Sequence, residues 1–252
     1  MKTLYLDCFS GISGDMTIGA LIDLGVDIHF LEKELTKLDI NSEYQLRFER
    51  VVKKGISATK FDVILAENEP DQGHHHHGHH HHHHRHYSDI VEMIKGAAYN
   101  DNVQTMALSI FEKIGRAEAK IHNIPFEKVH FHEVGAVDSI IDIVGTCILL
   151  DHLEISKIIS SAVPVGNGRI KIAHGIYPVP APATLEILKG IPIQATTIKG
   201  ELTTPTGAGI LSALVQEFGP IPSFCVDTIG YGAGTKDFTE HPNVLRIILG
   251  TL

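Results

Sequence analysis

From Asp138 onward the chain reads Ile140, Ile141, Ile143, Val144, Cys147, Ile148 and Leu149, apolar nearly all round a helical wheel. A helix of that kind has no face to turn to water, so it predicts a buried position with packing partners on every side. Directly in front of it stands His130-Phe131-His132-Glu133, followed by Val-Gly-Ala-Val. Within thirteen residues the chain gathers two imidazoles and three carboxylates, Glu133, Asp138 and Asp142, around one glycine turn. Lys128 to Val134 alternates charged or imidazole residues with Val129, Phe131 and Val134, which predicts a short strand. His130 and His132 then share a face, about 7 Å apart along that strand. Asp138 is expected to cap the helix, with Asp142 one turn on, so that both carboxylates look back toward the His face near the positive helix end. Two readings stay open here. A capping Asp and a half-exposed strand His are ordinary structural features, whereas an inward-facing Asp142 beside two imidazoles suits a metal or acid-base site.

The remaining signals interleave. Thr3 to Phe9 reads as a strand, Ser10 to Gly14 as a glycine turn, and Asp15 to Leu24 as a helix stopped by Gly25. A second amphipathic helix has Phe30, Leu31, Leu35 and Leu38 on one side, and Tyr44 to Lys53 with Ile56 to Ala66 suggests a hairpin broken at Gly55. Helices are expected over Ser88 to Tyr99 and Val103 to Asn123. Strand and helix signals then alternate through Ile158 to Val163, Ala181 to Leu188, Pro192 to Thr196, Pro205 to Phe218 and Val244 to Leu249. Tyr177-Pro178-Val179-Pro180 reads as a rigid, extended lead-in to a helix near Pro182. This order predicts an α/β or mixed α+β fold, a single compact domain over 1–252 with a disordered His-rich insertion at 67–87. A chain of 252 residues can bury roughly 70–75% of its unfolded surface and needs no staples.

Composition narrows the function classes. Cys8, Cys147 and Cys225 lie far apart and form no CxxC pair, which disfavours a disulfide framework or thiolate zinc site and fits a reducing cytoplasm. No apolar run approaches a membrane span, and no signal peptide is expected. Net charge is −9 with His neutral, no Lys/Arg cluster stands out, Trp is absent and aromatics make up 6%; a nucleic acid is therefore not the expected partner.

In the insertion, His74, His75, His76, His77, His79, His80, His81, His82, His83, His84 and His86 place eleven imidazoles in thirteen positions. A terminal tag would not sit here broken by Gly78 and Arg85, though a solvated spacer shares the composition. Neutral imidazole suits nickel, copper, zinc and cobalt, so the tract indicates metal handling without choosing the metal. Two glycine turns are candidate anion seats: Gly11, Ser13 and Gly14 before the first helix, and Thr204, Thr206 and Gly207 opening a later one, where free amides meet a positive helix end. Structure alone would explain either turn about as well. Gly166 to Arg169 and Gly230 to Gly234 read as turn-rich, with backbone approach to a ligand open at the second. His174 is a third candidate imidazole ligand, and Asp7, Asp15 and Glu133 are the candidate catalytic carboxylates.

Six stretches taken in order carry a resemblance. Leu6 to Met16, His130 to Gly145, Val163 to Gly168, Tyr177 to Pro182, Glu201 to Gly209 and Gly230 to Lys236 look like the successive blocks of the nickel insertion protein family, which serves the nickel-pincer cofactor of lactate racemase. The resemblance implies a cyclometallase of the lyase class. It would place Ni2+ into pyridinium-3,5-bisthiocarboxylic acid mononucleotide, forming nickel-carbon and nickel-sulfur bonds and consuming CTP. One anion seat would then take the mononucleotide phosphate, and His130, His132, Asp138, Asp142 and His174 would handle nickel. The resemblance also implies a C-terminal domain that binds CTP with Mg2+ or Mn2+. That domain is expected to be absent, leaving an N-terminal half whose partners are the mononucleotide precursor, the C-terminal CTP-binding half and lactate racemase, in a homo-oligomer.

Two other functions compete with metallation. A nickel storage or delivery protein without catalysis needs only the tract, and a metal-dependent hydrolase would use His130, His132, Glu133, Asp138, Asp142 and Asp7 to activate water. Because the tract cannot bury apolar surface, ordering it would cost conformational entropy with nothing to offset it. Deleting Gly73 to His86 is therefore expected to lower bound nickel by several ions per chain, measured by dialysis and metal analysis, with the melting temperature nearly unchanged. Collapse of the fold would count against this reading.

Overall fold

A helix apolar on all sides has to lie inside, and in the computed structural model, which describes residues 1–66, 85–129, 131, 136–172, 175–239 and 241–252, it does. The elements run β1 (Lys2–Asp7), α1 (Gly14–Asp23), α2 (Ile28–Leu35), β2 (Tyr44–Lys53), β3 (Ile56–Leu65), α3 (Tyr87–Gly96), α4 (Asp101–His122) and α5 (Val137–His152). They continue with β4 (Lys157–Ser160), β5 (Val163–Pro164), β6 (Gly166–Asn167), β7 (Arg169–Ile172), β8 (Gly175–Pro178), α6 (Pro182–Ile187), β9 (Ile193–Gln194), β10 (Gly200–Glu201), α7 (Pro205–Leu214), β11 (Glu217–Phe218), β12 (Cys225–Ala233) and β13 (Val244–Thr251). Helix α5 is the apolar run; α1, α2, α4, α7 and β3 all pack against it. Its Ile140, Ile141, Ile143 and Val144 are fully buried, each contributing about 2 kcal/mol of apolar burial.

Seven strands form one mixed sheet in the order β11-β4-β1-β13-β12-β3-β2. β1 runs parallel to β4 and antiparallel to β13, and β12 is antiparallel to β13 and parallel to β3. The expected hairpin at Gly55 is present: Lys53 pairs with Ile56, and both Lys54 and Gly55 have positive φ, as a two-residue turn of that hand demands. Asn100 caps α4 through Val103 N–H at 2.9 Å, and Asn123 ends it in the left-handed conformation. Among the described residues no helix is long and apolar enough to cross a membrane.

The structure corrects several boundaries. Gly230 to Ala233 is strand, not turn: the four residues end β12. Its glycines serve the approach of a helix, since a Cβ on Gly230 or Gly232 would overlap the Ala20 or Met16 carbonyl of α1. The signal over Pro205 to Phe218 divides into helix α7 and strand β11. Lys128 closes a 3-10 turn, Phe126–Lys128, instead of opening a strand, although Val129 and Phe131 are fully buried. The insertion boundary at 87 also runs too far. Arg85 pairs with Glu43 at 2.6 Å, the His86 N–H donates to Asp89 Oδ2 at 3.0 Å ahead of α3, and Tyr87 stacks near Phe126. A tract deletion that spares the fold therefore has to stop at His84.

Substituting Gly232 by Ala is expected to push α1 off the sheet, an overpacking cost of about 3 kcal/mol. Differential scanning calorimetry should show the melting temperature falling by about 6–12 °C. An unchanged melting temperature would mean that α1 does not lie this close to β12.

Candidate functional site

The turn after β1 is built by close backbone approach. Gly11 has φ +85°, and its N–H donates to the Cys8 carbonyl at 2.6 Å. A side chain there would overlap Leu202, and one on Gly207 would overlap the Ile12 carbonyl. Ile12 N–H donates to Leu202 O at 3.1 Å, and Thr204 N–H donates to Ile12 O at 3.1 Å. The two glycine turns treated separately in the sequence are thus interlocked, and the N-termini of α1 and α7 come side by side. Helix α5 completes the group, because Gly14 lies directly against the Asp142 side chain. Three positive helix ends border one cavity of about 320 Å³, lined by Ser13, Gly14, Asp15, Asp62, Val63, Asp138, Ser139, Asp142, Glu201, Thr204, Pro205, Thr206 and Thr235.

Carboxylates dominate that lining. Asp15 in the first turn of α1 accepts from Ser13 Oγ and from Lys60 Nζ, the latter at 3.0 Å. Lys60, its side chain 7% exposed, also donates to Asp62 Oδ1 and to the Phe61 carbonyl at 2.8 Å. Burial pulls the Lys60 ammonium toward lower pKa, but Asp15 and Asp62 outweigh it and leave the group raised. Asp138 Oδ1 accepts from Ser139 N–H at 2.7 Å. It sits in the first turn of α5 with Ala136 in the capping position, two residues before the cap that the sequence predicts. Asp142 is held well above the usual carboxylate range, first by burial and then by the negative Asp15 and Asp138; Lys60 and the Asp15 N–H oppose this without reversing it. Such a cavity favours a cation over an anion, while the helix amides and the Thr204 and Thr206 hydroxyls add donors at one side.

Of the residues singled out in sequence, Ser13, Gly14, Asp15, Asp138, Asp142, Thr204 and Thr206 meet at this cavity. Gly11 and Gly207 fit the two turns together and are not part of the lining. Asp7 lies elsewhere: across the β1–β13 pair it accepts from Arg246 Nε at 2.8 Å. His86 belongs to the start of α3. His130, His132, Glu133, His174 and His74 to His84 lie outside the described residues. Among the described residues, no three His, Cys, Asp or Glu side chains are grouped closely enough to hold a metal ion by themselves. Lys60, Asp62, Glu201 and Thr235 were missed. The first two had a readable signal, since alternation along β3 puts Lys60 and Asp62 on one face with Phe61 on the other.

The raised Asp142 carboxyl makes a stability prediction with a definite sign. The folded state binds this proton more tightly than the unfolded chain, so stability falls as pH rises from the ordinary carboxylate range through the raised value. Asp142→Asn keeps the shape and an acceptor oxygen. Its melting temperature is expected to exceed that of the parent at neutral pH, with the gap closing as pH falls toward 4. A gap independent of pH would show that Asp142 ionises normally.

The nickel insertion protein family model matches residues 4–251. The chain is 58% identical over 250 residues to the pyridinium-3,5-bisthiocarboxylic acid mononucleotide nickel insertion protein of Geobacillus kaustophilus, covering 99% of this chain and 60% of that protein. Proteins with the same name from Clostridium kluyveri and Desulfitobacterium hafniense are 53% and 50% identical, covering 99% and 100% of this chain and 62% and 59% of theirs. This chain therefore spans about 60% of the length of the curated relatives it matches. No solved structure matches it significantly. With nearly every residue inside the family's match and half or more identical to these relatives, the chain belongs to the nickel insertion protein family.

Proposed function

We propose that this chain carries out the nickel-handling part of nickel insertion into pyridinium-3,5-bisthiocarboxylic acid mononucleotide, with the carboxylate cavity as the place of transfer. One observation carries the reading: three helix N-termini converge on a cavity lined by Asp15, Asp62, Asp138, Asp142 and Glu201. Carboxylates attract the divalent ion, and the Thr204 and Thr206 hydroxyls at the start of α7 are suited to the mononucleotide phosphate. In the sequence, His130, His132 and Glu133 precede Asp138 by at most eight residues, and we assign them as further nickel ligands. Oxygen and imidazole donors localise Ni2+ yet surrender it to the softer thiocarboxylate sulfurs.

The nickel-carbon bond needs one more step. As nickel bonds to the pyridinium ring carbon, the carbon-hydrogen bond breaks and its proton has to leave. Asp142 is the base the cavity offers, because a carboxyl raised above the ordinary range holds a proton more readily than an ordinary one. Asp15, held by Ser13 and Lys60, serves as a nickel ligand. Supply of CTP with Mg2+ or Mn2+ is assigned to the portion of the relatives that this chain does not span, and the His74 to His84 tract to raising the local nickel concentration.

The test combines the chain with the complementary portion of a relative, Ni2+, CTP with Mg2+ and the precursor, and follows the nickel-bound product by absorbance. Asp142→Asn is expected to slow product formation by about 100-fold or more, while the precursor still binds. His130→Ala/His132→Ala is expected to weaken nickel loading in a chain lacking the tract. Unchanged rates in folded variants of both kinds would remove the cavity from the reaction.

A further inference from the structure

The Lys60 ammonium is the feature of the cavity that nickel transfer leaves unexplained. Its three protons are fully taken: Asp15 Oδ2 at 3.0 Å, the Phe61 carbonyl at 2.8 Å and Asp62 Oδ1. The group is buried, with 7% of the side chain exposed, and it lies on β3 directly behind the first turn of α1. Two of the lining carboxylates are therefore already engaged by a cation, one tethered to the protein. A divalent ion that takes Asp15 as a ligand has to take it from Lys60. Lysine suits such an exchange better than arginine would, because an ammonium is a compact point charge on a flexible stem and makes no bidentate clamp on a carboxylate.

We propose that Lys60 is a built-in competitor for the cavity: it holds Asp15 and Asp62 in the metal-free protein and yields Asp15 to the incoming divalent cation. The assignment rests on the reading of the cavity as the nickel site and adds to it a reason for weak retention. A protein that must hand its metal on gains from a resident cation that pushes back, since the metal's net affinity is lowered by the ion pair it breaks. A purely structural Lys60 predicts the opposite sign. Without its ammonium the carboxylates would lose their arrangement, and metal binding would weaken.

Mn2+ is the probe that separates the two, because its preference for oxygen donors keeps it off the imidazole tract. Free Mn2+ is followed by electron paramagnetic resonance during titration of the full chain, with circular dichroism melts to establish folding. Lys60→Met is expected to tighten Mn2+ binding at least tenfold and to slow its release, and Lys60→Arg to bind no tighter than the parent. Lys60→Gln, which keeps a donor for the Phe61 carbonyl, is expected to follow Lys60→Met and stands in for it if the methionine variant does not fold. Unchanged or weaker Mn2+ binding in the folded neutral variants overturns the competitor role alone, provided Asp15→Asn and Asp138→Asn abolish binding. Mn2+ binding that survives both aspartate substitutions places the ion outside the cavity, and both readings fall together.

Discussion

Helix α1 is gripped on two opposite sides, and the site depends on that grip. On one side the Met16 and Ala20 carbonyls press against Gly232 and Gly230, and Gly19 lies against the Thr59 carbonyl; on the other, Gly14 lies against Asp142 of α5. None of these contacts leaves room for a methyl group, and on the sheet side they are with backbone carbonyls, so the helix position there is not set by adjustable side chains. The far end is held as firmly. Asp23, an unfavourable charge at a helix C-terminus, accepts from Arg50 and from the Tyr231 N–H at 2.8 Å, tying the end of α1 to β2 and β12. With α1 fixed at both ends, Asp15 is delivered to the cavity without depending on a loop.

How much of this was legible in the sequence follows from the kind of interaction involved. Burial of α5 was readable because it depends only on which residues are apolar, and the hairpin at Gly55 because a left-handed turn needs glycine. Strand β12 was hidden by its own glycines. Locally, Gly230-Tyr231-Gly232-Ala233-Gly234 is a turn composition; the reason for glycine is the α1 backbone, which is more than 200 residues away in the chain.

The site divides the same way. Asp138 and Asp142 could be placed on one side of α5 by helical spacing, and Asp15 at the start of α1 by the turn before it. That these belong to one cavity is a tertiary fact carried by the Ile12–Thr203 bridge and the Gly14–Asp142 contact. Asp7 shows the converse. Its position at a strand end made it look available, but the register pairs it with Arg246 on the neighbouring strand, and no single-strand pattern reveals a cross-strand partner.

Magnitudes decide how so many carboxylates coexist. A helix N-terminus is worth roughly 0.3–1 kcal/mol to a nearby anion, up to about 2 in a partly buried setting, so three of them supply a few kcal/mol at most. Removing a single carboxylate from water without a partner costs several kcal/mol. The helix ends alone therefore cannot offset the burial of Asp142 beside Asp15 and Asp62, whereas Asp138 stays exposed to water. Two other devices narrow the gap: the Lys60 ammonium is shared by Asp15 and Asp62 and offsets one of their two charges, and Asp142 retains its proton to higher pH than an ordinary carboxyl. Both devices are cations in effect, one tethered and one a proton. They lower the negative charge of the cavity without cancelling it, since five carboxylates line it and one ammonium is paired there, and the remaining carboxylates still favour a cation.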